Sequence, residues 1–71
     1  MLYNVKAVAM DRKTRRQVGK ARVERINSTT NELFKRLTTP HNIKICYESF
    51  WNNLNPNSKE IVKVIDVEEV I

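Results

Sequence analysis

From Leu2 to Met10 the chain alternates. Tyr3, Val5, Ala7 and Ala9 fall in one register and Asn4, Lys6 and Val8 in the other, the two-residue period of a half-buried strand. Asp11, Arg12, Lys13 and Thr14 interrupt it. An aspartate at the first position of a type I turn accepts hydrogen bonds from the backbone ahead of it, so the chain is expected to reverse here. From Gln17 to Ile26, Gly19, Ala21 and Val23 alternate with Lys20, Arg22 and Glu24. This predicts a second strand with its small residues inward, and a hairpin with the first.

Thr29 and Glu32 stand in the capping-box relation ahead of Leu33, Phe34 and Leu37. In such a box the hydroxyl accepts from a backbone amide and the carboxylate reaches back, which predicts a short helix. Its outer face would carry Lys35 and Arg36, and Thr38, Thr39 and Pro40 would end it, because proline restricts the residue before it. Ile43, Ile45 and Tyr47 then alternate with Lys44 and Cys46 as a third strand, and the β-branched run Ile61 to Val67 reads as a fourth. Between them, Asn52, Asn53, Asn55, Pro56, Asn57 and Ser58 form a turn-rich stretch, with Phe50, Trp51 and Leu54 able to supply one helical turn. The simplest assembly is α+β: a basic β-hairpin, one short helix and two further strands, ββαββ, in a mostly antiparallel sheet.

Length limits what such a fold can do. At 71 residues the chain is one small domain, 1–71, with no room for separate cofactor and substrate subdomains. A domain of this size is marginally stable, which leaves room for a partner or a homodimer. The single glycine excludes the Gly-rich phosphate loops of nucleotide-hydrolysing and dinucleotide-binding proteins. Cys46 alone makes no internal disulfide, and no signal-peptide pattern is read at Met1 to Met10, so a cytoplasmic, reducing setting is expected. No apolar run approaches the roughly 20 residues needed to cross a bilayer, so no membrane partner is expected. Asn27, Ser28 and Thr29 spell a glycosylation sequon, read here as capping chemistry instead.

Charge adds the most specific feature. Residues 11 to 25 carry seven cations against Asp11 and Glu24, a net of +5 that equals the charge of the whole chain. Residues 46 to 71 carry two cations against five carboxylates, a net of −3. Lys20 and Arg22 would continue the charge of the turn along one face of the second strand, making a basic ridge. Phosphates suit such a ridge because each one neutralised releases condensed counterions, and a two-stranded ribbon fits the major groove of DNA. The arginine excess adds a fork that grips two acceptors at once. The leading expectation is therefore a non-enzymatic module, regulatory or accessory, that contacts DNA or RNA through Arg12, Lys13, Arg15, Arg16, Lys20 and Arg22. The plainer reading is that a charged hairpin keeps strand edges from aggregating.

A rival expectation belongs to another class. Here the chain is a protein-interaction module, such as a small phage or mobile-element protein that docks on a host protein or homodimerises through an exposed strand. Its hot spots would be Phe50, Trp51 and the segment Ile61 to Ile71. Of the two adjacent aromatics, one is expected buried and one exposed, and Tyr47 is expected buried. No cofactor, metal site or catalytic site is expected. His41 and Cys46 lack the arrangement of a nucleophile and base, and Glu68 and Glu69 sit outside any pocket.

Overall fold

The computed structural model describes residues 1–35 and 37–71. Strand β1 spans Leu2–Asp11, β2 Gln17–Asn27, helix α1 Pro40–Leu54 and β3 Glu60–Val70. The three strands form one antiparallel sheet in the order β2-β1-β3, with β1 central. The protein is thus a small α+β domain of three strands and one helix. The expected hairpin and last strand form, and both run slightly longer than their patterns foretold. No helix, among the described residues, is long and apolar enough to cross a membrane.

Two expected elements are replaced. Among the described residues of Thr29 to Leu37 no helix forms, and successive turns take its place. The amides of Asn31 and Phe34 donate to the carbonyls of Asn27 and Asn31 at 3.0 and 3.1 Å. The side chains of Asn27 and Asn31 accept from the amides of Thr29 and Leu33, at 2.9 and 3.0 Å. Short polar side chains of this kind satisfy nearby amides locally and so compete with helix formation. The capping box is dismantled as well: the Thr29 hydroxyl accepts from the Met1 amino group, and Glu32 lies 4.0 Å from Lys35. The expected outward position of Arg36 lies outside the described residues.

The expected third strand, Ile43 to Tyr47, is instead the first half of α1. Thr39 is its N-cap, accepting from the Asn42 amide at 3.3 Å, and Pro40 occupies the first turn. Proline belongs there because its missing N–H would have no intrahelical partner in any case, so Thr39-Pro40 starts a helix rather than ending one. The apolar positions Ile43, Tyr47, Trp51 and Leu54, with Cys46 and Phe50 beside them, follow helical spacing. Ile45, which completed the apparent alternation, points away from the core and is exposed.

The core forms where α1 meets one face of the sheet. Tyr3, Val5 and Ala7 of β1, Ile26 of β2 and Val64 of β3 pack with Ile43, Tyr47 and Phe34, and Leu37, Cys46, Val62 and Val67 border them. Register fixes which β2 residues share this face: Tyr3 pairs with Ile26, Val5 with Glu24 and Ala7 with Arg22. Directly paired residues project to the same side. Within this register the expected inward set on β2 is reversed at Val23. Val23 pairs with Lys6 and projects to the other face, where it is 64% exposed. The pairing slips beyond Ala7, from Arg22 opposite Ala7 to Val18 opposite Ala9. Gly19 sits in this irregularity at φ +76°, a backbone region that glycine enters without the clash a Cβ brings.

Helix α1 is held to β3 by side-chain bonds to the strand backbone. The Asn52 amide group accepts from the Val62 N–H at 2.7 Å and donates to the Val62 carbonyl at 3.2 Å. Glu48 accepts from the Val64 N–H at 2.8 Å. An edge strand presents unpaired groups, and here side chains stand where another strand would. Asn52→Ala leaves both Val62 groups without these partners at a part-buried site, so we expect a loss of about 1–3 kcal/mol by equilibrium denaturation. An unchanged midpoint would show that this contact does not hold the helix.

Candidate functional site

The hairpin connecting β1 and β2 is ordered by Asp11. Its carboxylate accepts from the amides of Lys13 and Thr14 at 2.8 and 2.9 Å, and its main chain bonds Arg15 and Arg16. Arg15 adopts φ +62°, a left-handed conformation at which a non-glycine residue is uncommon and which closes the loop. Lys13, Arg15 and Arg16 are thereby displayed at a tip of defined shape, all exposed. The two amide bonds hold the Asp11 carboxyl below its ordinary value of 3.8.

The six expected basic residues do not act as one row. Arg12 turns back onto the body: its amide donates to the Lys59 carbonyl at 2.8 Å and its Nε to the Ser58 carbonyl at 3.0 Å. It anchors the hairpin base to the turn before β3. Lys20 lies in the β2 irregularity, and Arg22 projects toward the helix side of the sheet. Among the described residues the one ion pair within 4.0 Å joins Lys35 and Glu32, so the hairpin cations have no carboxylate partner at that distance.

Carboxylates lie at both ends of the sheet. Glu60 pairs with Asp11 at the hairpin end of β3, while Glu68 and Glu69 pair with Asn4 and Tyr3 at the far end. Glu68, Asn4 and Arg25 form one cross-strand row, in which Arg25 donates from Nε to the Asn4 side chain at 3.4 Å.

Because α1 packs toward β3, the helix side of β2 is left uncovered and a groove of about 470 Å³ opens between them. Tyr47 and Trp51 form the helix wall, the run Val18 to Arg22 the strand wall, with Lys20 and Arg22 its charged members, and Ala7, Ala9 and Val62 the floor. Small floor residues are what keep it open. Burial pushes the Tyr47 phenol up, and the nearby Glu24 carboxylate pushes it further, with Arg22 acting in opposition.

Neither Phe50 nor Trp51 is buried. Each is 38% exposed, and their rings meet edge to face at 5.4 Å. The expected split between one buried and one exposed ring is not found: Trp51 borders the groove beside Tyr47, and Phe50 lines a separate hollow with Leu33, Leu37 and Ile45. Trp51 also lies 6.2 Å from Tyr47, which is buried as expected. His41 and Cys46 both fall on α1, His41 exposed in the first turn and Cys46 half-buried with its Sγ 3.5 Å from the Leu33 carbonyl. The expected strand-pairing edge along Ile61 to Ile71 is occupied at Val62 and Val64 by the helix side chains, while the later residues of β3 and the outer side of β2 remain sheet edges.

The sequence reading missed the groove itself, and with it Tyr47, Val18 and Ala9 as lining residues. The aromatic half was signalled by the spacing of Tyr47 and Trp51, four apart on one helix face. The strand half carried no signal, since it depends on which face of β2 the register turns inward. Compared with protein-family models, curated proteins and solved structures, the chain shows no significant match to any.

A depressed carboxyl pKa means that the Asp11 bonds are intact above the ordinary value and are lost only as pH falls through the lower folded one. The Lys13 and Thr14 amide resonances should therefore titrate together with a midpoint below 3.8. Asp11→Asn, which keeps an acceptor but does not ionise, should abolish that titration.

Proposed function

We propose that the protein is a non-enzymatic nucleic-acid-binding module whose β1–β2 hairpin contacts phosphates. The observation that carries this reading is the hairpin tip: Lys13, Arg15 and Arg16 are exposed on a loop fixed by Asp11, with no carboxylate partner among the described residues. A cation already paired within its own chain must give up that partner before it can release counterions from a phosphate, and these need not. Lys20 and Arg22 extend the cationic surface along β2 from the tip. Arg12 is assigned a supporting part, since its bond to Ser58 fixes the base of the hairpin. The Glu68 and Glu69 end of the sheet orients the molecule, turning the cationic end toward a polyanion during approach.

A second reading draws on the unpaired edge of β2. An extended peptide adds to such an edge through main-chain hydrogen bonds. Lys20, Arg22 and Arg25 along that strand favour an acidic partner and oppose a second copy of the same edge, whose like charges would repel. Light scattering that shows a monomer at micromolar concentration agrees with this. A dimer disrupted by charge reversal in β2 would contradict it.

Neutralising Arg15 and Arg16 together, as Arg15→Gln with Arg16→Gln, should weaken binding to all sequences alike. The slope of log affinity against log salt should shrink by about 1.8 on duplex DNA, the worth of two phosphates. The same slope in the wild type and the double variant would refute the reading.

A further inference from the structure

We propose that the groove between α1 and β2 receives an unpaired base of a single-stranded nucleic acid, with Trp51 as its stacking surface and Lys20 and Arg22 on the neighbouring phosphates. This rests on the nucleic-acid reading of the hairpin and names the form of nucleic acid that it takes.

The two walls differ in chemistry, and that difference selects the occupant. The helix wall is aromatic, with Trp51 leaving over a third of its surface exposed beside the buried ring of Tyr47. The opposite wall supplies Lys20 and Arg22, neither within 4.0 Å of a carboxylate among the described residues. An apolar peptide would satisfy the first wall and leave the second without a counter-charge. A free phosphate would satisfy the second alone. A nucleotide carries both parts: a flat apolar face for the indole and a backbone anion on the cationic side.

Size agrees, since about 470 Å³ lies within the roughly 300–1,000 Å³ of small-ligand pockets. A duplex cannot use the site in the same way, because its bases are already paired and stacked, and extracting one requires energy that a single strand has no need to supply. Glu60 lines the groove, and the Glu24 carboxylate lies near its Tyr47 wall. Glu60 stands at the start of β3, so the phosphate path is assigned to the β2 wall, where it continues the line of cations from the hairpin tip.

Trp51 is the only tryptophan in the chain, so its fluorescence reports on the groove directly. The full chain is titrated at low salt with single-stranded DNA, single-stranded RNA and duplex DNA of about 10 nucleotides, a length within the usual span of single-strand sites. Affinity is read from the anisotropy of a dye on the oligonucleotide. We expect single strands to bind at least about ten-fold tighter than duplex and to quench Trp51, while duplex leaves it unchanged; the two single-strand arms show which sugar is preferred. Trp51→Ala should remove that advantage and leave duplex affinity unaltered. Ala9→Ile, which fills the floor with a residue suited to a strand and leaves Trp51 in place, should do the same and serves if Trp51→Ala fails to fold by circular dichroism.

Equal affinity for single strand and duplex, with no quenching and no effect of Ala9→Ile, would overturn the groove assignment and leave the hairpin reading standing. Absence of binding to all three at low salt would overturn both.

Discussion

The position of α1 rests on the bonds it makes to the backbone of β3. Asn52 takes both hydrogen-bonding groups of Val62 and Glu48 takes the amide of Val64, so the outer strand of the sheet is completed by side chains rather than by another strand. These bonds settle more than the helix position. They cover one edge of a three-stranded sheet at Val62 and Val64, pull the helix to that side, and leave the opposite side of the same sheet face without a cover. The core is accordingly built from β1, β3, the near half of α1 and Phe34, with β2 contributing Ile26 alone. A helix centred over β1 would have buried Arg22 and Glu24, at several kcal/mol for each unpaired charge.

The off-centre helix explains the distribution of polar and apolar residues that otherwise looks inverted. Arg22 and Glu24 project on the core side of β2, where a polar residue is tolerated only because nothing packs above it. Trp51 and Phe50 extend the apolar stripe of α1 and remain half-exposed, Trp51 beside the groove and Phe50 beside Leu33 and Leu37. Trp51 and Arg22 lie on opposite walls of one groove. The same bias that exposes an aromatic wall therefore exposes a cationic one, and Gly19 permits the slip in register between them.

At the other end of β2 the device is different and purely local. Asp11 orders the hairpin through bonds to the next amides, and Arg12 ties the hairpin base to the Ser58 and Lys59 carbonyls. The tip is thus fixed with respect to the groove, and the exposed cations of the hairpin continue from one to the other along a single strand. Charge on a flexible tail would attract a polyanion equally well. Charge on a fixed hairpin also sets where the rest of the chain meets it.

What could be read from the sequence was what depends on neighbours along the chain. The alternation of Leu2 to Met10, the turn at Asp11, the strand to Ile26 and the β-branched run from Ile61 each reflect a local period or a single turn residue, and each element formed. The error at residues 29–47 was also local in origin. A capping box at Thr29 competed with asparagines that take the amides of Thr29 and Leu33, and Ile43, Ile45 and Tyr47 fit a strand over five residues while Ile43, Tyr47, Trp51 and Leu54 fit a helix over twelve. Pro40 was legible as a boundary but not as a beginning. Which face of β2 turns inward, and hence the pairing of Arg22 with the core side and the groove opposite Trp51, was decided only by the tertiary structure. Register is set by cross-strand partners remote in sequence, and a shift of one residue exchanges every side chain between the two faces.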